Sequence, residues 1–266
     1  MPEMIVGRHK DYSVTFIVET YLGYDRPDQL VTPEWIDFRL DWFHRFTLKS
    51  LRNQTFKPAA IFVQCGERHR PRLEAYPWSP EVTVCWFNGQ EEYAKIDTDY
   101  LVTTRIDSDD LFHRDCLAEV RSRLRFSNNR EVLAWKTRIV WDYINRYVTS
   151  DHSRPSSPFF THILPRSIYK NWPLMLAQHF VPQGIGGAGD HTATPLSRNR
   201  ICVVKHGWNH SVLKLGETWP VLDTEAKIEA HKRLLRKRNP DVRLYFGREI
   251  IEKTLEPFGI LPEMVP

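Results

Sequence analysis

The chain has 266 residues, of which 41% are hydrophobic and 26% charged, enough apolar material for a core and too much for a disordered chain. Its 12 glycines and 18 prolines are dispersed, which excludes collagen-like and low-complexity classes. A net charge of +4 is mildly basic; it suits an anionic substrate or a membrane surface and does not argue for nucleic acid.

Cys65, Cys85, Cys116 and Cys202 are widely spaced, without CxxC or zinc-ligand spacing, and read as reduced thiols of a cytoplasmic protein. Residues 1–11 lack the apolar run of a secretory signal. The longest stretch free of Asp, Glu, Lys and Arg, Asn171 to Gly189, contains Pro173, Pro182 and four glycines and cannot be a membrane helix. Any membrane contact would therefore be peripheral, at the inner face.

The first strand expected is Ser13–Glu19, β-branched and apolar. After a polar loop, Thr32 can cap a helix that Pro33 and Glu34 suit as first-turn residues. Trp35, Phe38, Trp42, Phe46 and Leu51 keep helical spacing to Asn53. Further strands are expected at Ala59–Gln64, Val82–Phe87 and Tyr100–Ile106, and a helix carrying Leu117, Val120 and Leu124 to about Phe126. This order predicts an α/β domain with a doubly wound, mostly parallel sheet flanked by helices. The second half predicts one strand over Val132–Tyr143, loops at Ser150–Pro158 and Pro182–Ser197, a strand at Ile201–Lys205 and a basic helix at Thr224–Arg238. A single domain over residues 1–220 with a helical extension, 221–266, packed on it is expected.

The fourth strand runs into Asp107-Ser108-Asp109-Asp110. Ligands of open α/β sheets bind at the carboxyl ends of strands. Three carboxylates in four residues repel one another unless a cation neutralises them, and oxygen ligands suit Mg²⁺ or Mn²⁺. The alternative is a solvated turn in which Asp109 or Asp110 caps the next helix.

Leu48 to Thr55, with Ser50-Leu51 and Gln54-Thr55, resembles the SLxxQT element of family 2-like glycosyltransferases. Tyr100–Asp110 resembles the DXD-bearing element of that family, and His206-Gly207-Trp208-Asn209-His210 is most similar to its rhamnosyltransferase branch. The resemblance covers about residues 13–215. It implies a GT-A fold and transfer of a sugar from a nucleoside diphosphate donor to a glycan or lipid-linked hydroxyl, with a divalent metal and inversion at the anomeric carbon. It implies Asp109 as metal ligand, Asp107 near the ribose or the metal, Asp110 sharing the metal, and Glu19 and Thr20 where the first strand meets the base. The family's acidic DDGS is replaced here by Gln64-Cys65-Gly66-Glu67, so Gln64 would read the base edge. Asp190 matches the catalytic base, although Gly189 stands where a glutamate is usual. His191 would neighbour that base on the acceptor side.

Residues 184–189 formally satisfy GxGxxG, but no strand precedes them and no acidic residue follows at about 20 positions, against a dinucleotide site. A surface loop with an Asx turn at Asp190 is the alternative there. His206 follows the strand Ile201–Lys205 and would reach the metal; Lys205 and Arg105 would contact phosphate. Trp172 and Trp208 flank the site loops and could stack on an acceptor sugar, while Trp35 and Trp42 belong to a helix's buried face. Lys227–Arg238 is either a solvated helix or one resting on anionic lipid. Two other readings compete: a metal-dependent phosphohydrolase and a non-catalytic glycosyltransferase-like module in a larger assembly.

Overall fold

The computed structural model describes residues 7–9, 11–22, 32–135, 137–152, 159–179, 193–207, 220–238 and 242–266. It opens with strands Gly7–His9 (β1) and Tyr12–Leu22 (β2). Helix Pro33–Trp42 (α1) follows, capped as expected by Thr32, whose Oγ1 accepts from the Trp35 N–H at 3.2 Å. A π-helical turn, Phe43–Thr47, carries it into Leu48–Arg52 (α2), so the expected helix exists but its faces shift midway. Then come Ala60–Cys65 (β3), Arg70–Glu74 (α3), Val82–Cys85 (β4), Gln90–Ala94 (α4), Tyr100–Arg105 (β5), Leu111–Phe112 (β6) and Cys116–Ser122 (α5). The second half holds Glu131–Ala134 (β7), Thr137–Asp142 (β8), Tyr147–His152 (β9), Phe160–Pro165 (β10), Arg166–Tyr169 (α6), Trp172–His179 (α7), Thr194–Pro195 (β11) and Ile201–Lys205 (β12). Glu225–Arg238 (α8), Leu244–Phe246 (β13) and Arg248–Leu255 (α9) complete it.

The main sheet has the order β11-β7-β10-β5-β2-β3-β4, with β1 also paired to β2. Strands β2, β3, β4 and β5 are parallel; β10 runs antiparallel between β5 and β7. From β2 the chain winds outward through β3 to β4, then returns to lay β5 on the other flank of β2. Open α/β sheets bind ligands in the crevice outside the carboxyl ends of their strands at such a reversal, which here falls between β2 and β5.

Alternation along the strands sends residues to two covered faces. Val14, Phe16, Val18, Ile61, Val63 and Val102 pack beneath Ile36, Leu40, Phe43 and Leu51 of the first long helix. Ile17, Ala60, Phe62 and Leu101 pack on the other face against Tyr93, Ile168, Tyr169 and Met175. The sheet is therefore mostly parallel with helices on both sides, as the element order predicts.

A second sheet, β13-β9-β8-β12-β6, was not foreseen. The single strand expected over Val132–Tyr143 is in fact two, β7 in the main sheet and β8 in the second. The apolar run is broken by Lys136-Thr137-Arg138 where the chain changes sheets; buried Trp135, 5.5 Å from the Phe112 ring, fills the junction. Helix α5 stops at Ser122, short of Phe126, and β9 extends to His152, into the stretch expected to be loop. Residues 221–266 also contain β13, which pairs with β9, so they are not helical throughout. Trp42 and Phe46 join Trp141, Ile251, Leu255 and Phe258 in a core that ties this segment to the second sheet. The glycine-rich stretch around residues 184–189 lies outside the described residues.

Phe258 is fully buried in that core. Phe258→Ala is expected to cost about 3–5 kcal/mol in denaturant unfolding, while Val221→Ala, at an exposed site, changes stability by no more than about 0.5 kcal/mol. A Phe258→Ala cost as small as that of Val221→Ala would contradict the core.

Candidate functional site

The crevice is built by register. Glu19 of β2 lies opposite Arg105 of β5, and the Ile106 N–H donates to the Glu19 carbonyl at 2.9 Å. Thr20 faces the other side, beside Val63. Gln64, near the end of β3, pairs with Tyr21 and Cys85. Glu19, Thr20 and Gln64 are all buried. The Arg105 guanidinium lies 4.8 Å over the Tyr21 ring and 5.8 Å from that of Phe160, and it donates to Asp107 Oδ1 at 3.5 Å. The two polar atoms of the Gln64 side chain, like Thr20 Oγ1, are buried without a hydrogen-bond partner among the described residues. Gly89 lies against that amide: at φ +76°, a Cβ there would stand 3.1 Å from Gln64 Nε2.

Beyond β5 the acidic turn splits into distinct environments. Asp107 is partly exposed. Asp109 is buried and ion-paired with Arg39 of α1, whose Nη2 also donates to Ser108 Oγ at 2.6 Å. His206, just past β12, donates Nε2–H to Asp109 Oδ2 at 3.1 Å. Its ring sits 5.0 Å from Phe38 and 4.5 Å from Trp42. Asp110 accepts the Val204 N–H at 3.0 Å. Thr47, in the π-helical turn, donates to the Ser108 carbonyl at 3.1 Å.

Charge follows burial and partners. Burial opposes ionisation of Asp109, but the Arg39 guanidinium and the His206 hydrogen bond outweigh it and hold the carboxyl well below its usual range. Burial, then the charges of Asp109 and Asp107, push Asp110 well above that range. Burial also lowers His206, against the pull of Asp109. The turn thus eases its repulsion internally: the Arg39 guanidinium favours the ionised form of Asp109, while burial and like charge favour the protonated form of Asp110.

Among the described residues no group of three or more His, Cys, Asp and Glu stands where it could hold a metal ion. Asp109 and His206, expected on the metal, meet each other and Arg39 instead. Asp107 presents the turn's most exposed carboxylate. With Asp109 and His206 engaged, the described residues of the turn do not fit an all-protein metal centre.

Of the other expected residues, Lys205 ends β12, opposite Asp142 of β8. Trp172 packs half-buried 6.3 Å from the Tyr93 ring, on the face that carries Gln64. Asp190, His191, Trp208 and His210 lie outside the described residues. Sequence reasoning missed Arg39, although a charged residue in the apolar stripe of Trp35, Ile36, Leu40 and Trp42 was a visible signal. It also missed Tyr21, two residues beyond Glu19 on the same strand face, and His162, fully buried opposite Thr103. The thiols are all buried, and burial pushes that of Cys65 up to about 12, so no cysteine nucleophile serves this site.

No protein-family model matches the chain, and no curated protein matches it. Solved structures similar to it include an inositol-1-phosphate CTP transferase from T. maritima: 12% identity, 86% of this chain and 97% of that one covered, TM-score 0.34. A protein of Mycobacterium tuberculosis H37Rv is similar at 13% identity over 84% of this chain and 98% of that one, TM-score 0.33; a second structure from that organism is a manganese complex. A CMP:2-keto-3-deoxy-manno-octonic acid synthetase with CTP bound is similar at 10% identity over 84% of this chain and 98% of that one, TM-score 0.31. Likenesses this distant carry no activity over to this chain. The resemblance to family 2-like glycosyltransferases and their rhamnosyltransferase branch is corrected: no family model supports it, and neither of the two named enzymes among the similar structures is a glycosyltransferase. The SLxxQT residues have a structural task here. Gln54 donates to the Ser50 and His113 carbonyls at 3.0 and 2.9 Å and accepts the Leu117 N–H at 3.1 Å, while Ser50 Oγ accepts the Phe112 N–H at 3.2 Å. They clamp the segment that follows the acidic turn.

Removing Arg39 leaves Asp109 buried without its cation, so Arg39→Met is expected to destabilise by about 3–5 kcal/mol in denaturant unfolding. Asp110→Asn keeps an acceptor for Val204 and removes a group whose ionisation burial and the charges of Asp109 and Asp107 oppose. The folded carboxyl titrates above its unfolded value of 3.8, so its stabilising contribution is complete below that pH and is lost as pH rises through the folded value. The melting temperature of Asp110→Asn should therefore match wild type in acid and exceed it increasingly toward neutral pH; a gain largest in acid would contradict the protonated assignment.

Proposed function

We propose that this chain is an enzyme that binds a nucleotide-activated substrate in the crevice between β2 and β5 and transfers the group it carries to an acceptor. The observation that carries the reading is the reversal of strand order at β2 and β5, with Arg105 and Asp107 partly exposed at the carboxyl end of β5, and buried Glu19 and the amide of Gln64 on the neighbouring strands. Arg105, held by two rings and Asp107, supplies fixed positive charge for a phosphate. Gln64 offers a donor and an acceptor to a base edge, and Lys205 a second cation. A divalent ion shared between Asp107 and the phosphates would neutralise charge on the leaving group.

In the finer form of this proposal the substrate is a nucleoside diphosphate sugar and the acceptor a hydroxyl of a glycan or lipid-linked saccharide. The acceptor oxygen bonds to the anomeric carbon as the carbon–oxygen bond to the diphosphate breaks, and the acceptor's proton passes to Asp190. Attack opposite the leaving group inverts the anomeric centre. Trp172, Trp208 and His191 are the acceptor-side candidates.

The test is product analysis with nucleoside diphosphate sugars and, in parallel, nucleoside triphosphates with sugar phosphates. Release of nucleoside diphosphate is expected, with kcat/KM reduced roughly 10²–10³-fold in Asp107→Asn and in Asp190→Asn. Release of pyrophosphate from a triphosphate would replace sugar transfer by nucleotidyl transfer. Turnover of neither, by a folded protein, would leave a non-catalytic module.

A further inference from the structure

Helix α8 carries six lysines and arginines against two glutamates, a net charge of +4, equal to that of the whole chain. The rest of the molecule is neutral in sum, so the net positive charge is concentrated on one fourteen-residue helix. No side chain described on this helix is buried. Ile228, His231 and Leu235 are half-buried, and the ring nitrogen Nε2 of His231 shares a hydrogen bond of 2.8 Å with the Tyr147 hydroxyl of β9. Lys227 and Lys232 are paired with Asp223 and Glu229, whereas Arg233, Arg236 and Lys237 are exposed and make no ion pair among the described residues.

Apolar side chains stand out around this charge. Leu234, three residues on from His231, is 51% exposed. The Tyr147 ring that meets His231 also lies 5.5 Å from Phe246 of β13, the edge strand of the second sheet, where Tyr245 and Phe246 are both exposed. Ile250, just beyond on α9, is exposed while Ile251 and Leu255 turn into the core. Exposed cations beside exposed leucine and aromatic side chains form the pattern of a surface that rests in a lipid headgroup layer.

We propose that α8 and the β13 edge form a docking face for an anionic bilayer, with Arg233, Arg236 and Lys237 meeting lipid phosphates or carboxylates and Leu234 and Phe246, the β13 residue on the Tyr147 face that meets α8, entering the headgroup region. The complementarity of charge selects this occupant. A strand-edge partner would use β13 and leave the cations of α8 without a role; a nucleic acid would use the cations and leave the apolar groups in water. The face is formed by elements of the second sheet and C-terminal segment, so it is independent of the transfer chemistry proposed for the crevice.

The experiment is co-sedimentation of the full chain with phosphatidylcholine vesicles, with and without about a third phosphatidylserine. Binding is expected only to the anionic vesicles and is expected to weaken as salt rises. Each cation near such a surface strengthens binding about fivefold, so Arg233→Ala/Arg236→Ala/Lys237→Ala should lose on the order of a hundredfold with an unchanged melting temperature. Leu234→Ser/Phe246→Ser should weaken binding without altering its salt dependence. Equal binding to neutral vesicles, an unaffected triple variant, or no binding at all overturns the proposal. So does a concentration-dependent dimer abolished by Phe246→Ser, or retention on single-stranded RNA at salt that releases the vesicles. Failure here leaves product analysis at the crevice untouched, because this readout needs no turnover.

Discussion

Burying an arginine against a carboxylate is the constraint on which the rest of the site depends. Two charges taken out of water cost several kcal/mol each unless their geometry is satisfied. Arg39 and Asp109 meet that condition only because three separate parts of the chain converge: α1 brings the guanidinium, the end of β5 brings Ser108 and Asp109, and the end of β12 brings His206. The π-helical turn after α1 adds Thr47 to the same loop. Main sheet, long helix and second sheet are thus locked at one point.

That lock has a consequence for chemistry. By pairing Asp109 with Arg39 and burying Asp110, it leaves Asp107 as the turn's most exposed carboxylate, two residues from Arg105 at the carboxyl end of β5. A rigid inner pair supporting an exposed outer carboxylate is how a loop residue is held to a fixed position for a ligand. In the proposed reaction the reversal of strand order would supply the binding crevice, Arg105 the charge, and Gln64 a neutral hydrogen-bonding edge.

Local features were legible in the sequence because their causes are local. β-branched runs marked β2, β3 and β5, Thr32-Pro33-Glu34 marked the start of α1, and the acidic turn was expected at a strand's carboxyl end, where it lies. What escaped depends on distance along the chain. Arg39 and Asp109 are 70 residues apart, and nothing near either one names the other. The switch between sheets after Trp135 coincides with a polar break, Lys136-Thr137-Arg138, but three polar residues do not say that the next strand joins another sheet. The resemblance to family 2-like glycosyltransferases misled for a physical reason: Gln54 and Ser50 satisfy backbone groups around β6, and a short motif with that task identifies no donor and no reaction.

The central claim is that the crevice takes a nucleotide, and thermal unfolding against a panel of nucleoside diphosphates, each with Mn²⁺, Mg²⁺ or EDTA, tests it most directly. A ligand that binds only the folded state raises the midpoint, by an amount that grows with its concentration relative to Kd. The account predicts a rise for at least one nucleotide, reduced by EDTA and lost in Arg105→Met. No rise for any nucleotide under any of these conditions would contradict it, and the acidic turn would then be an internal brace and nothing more.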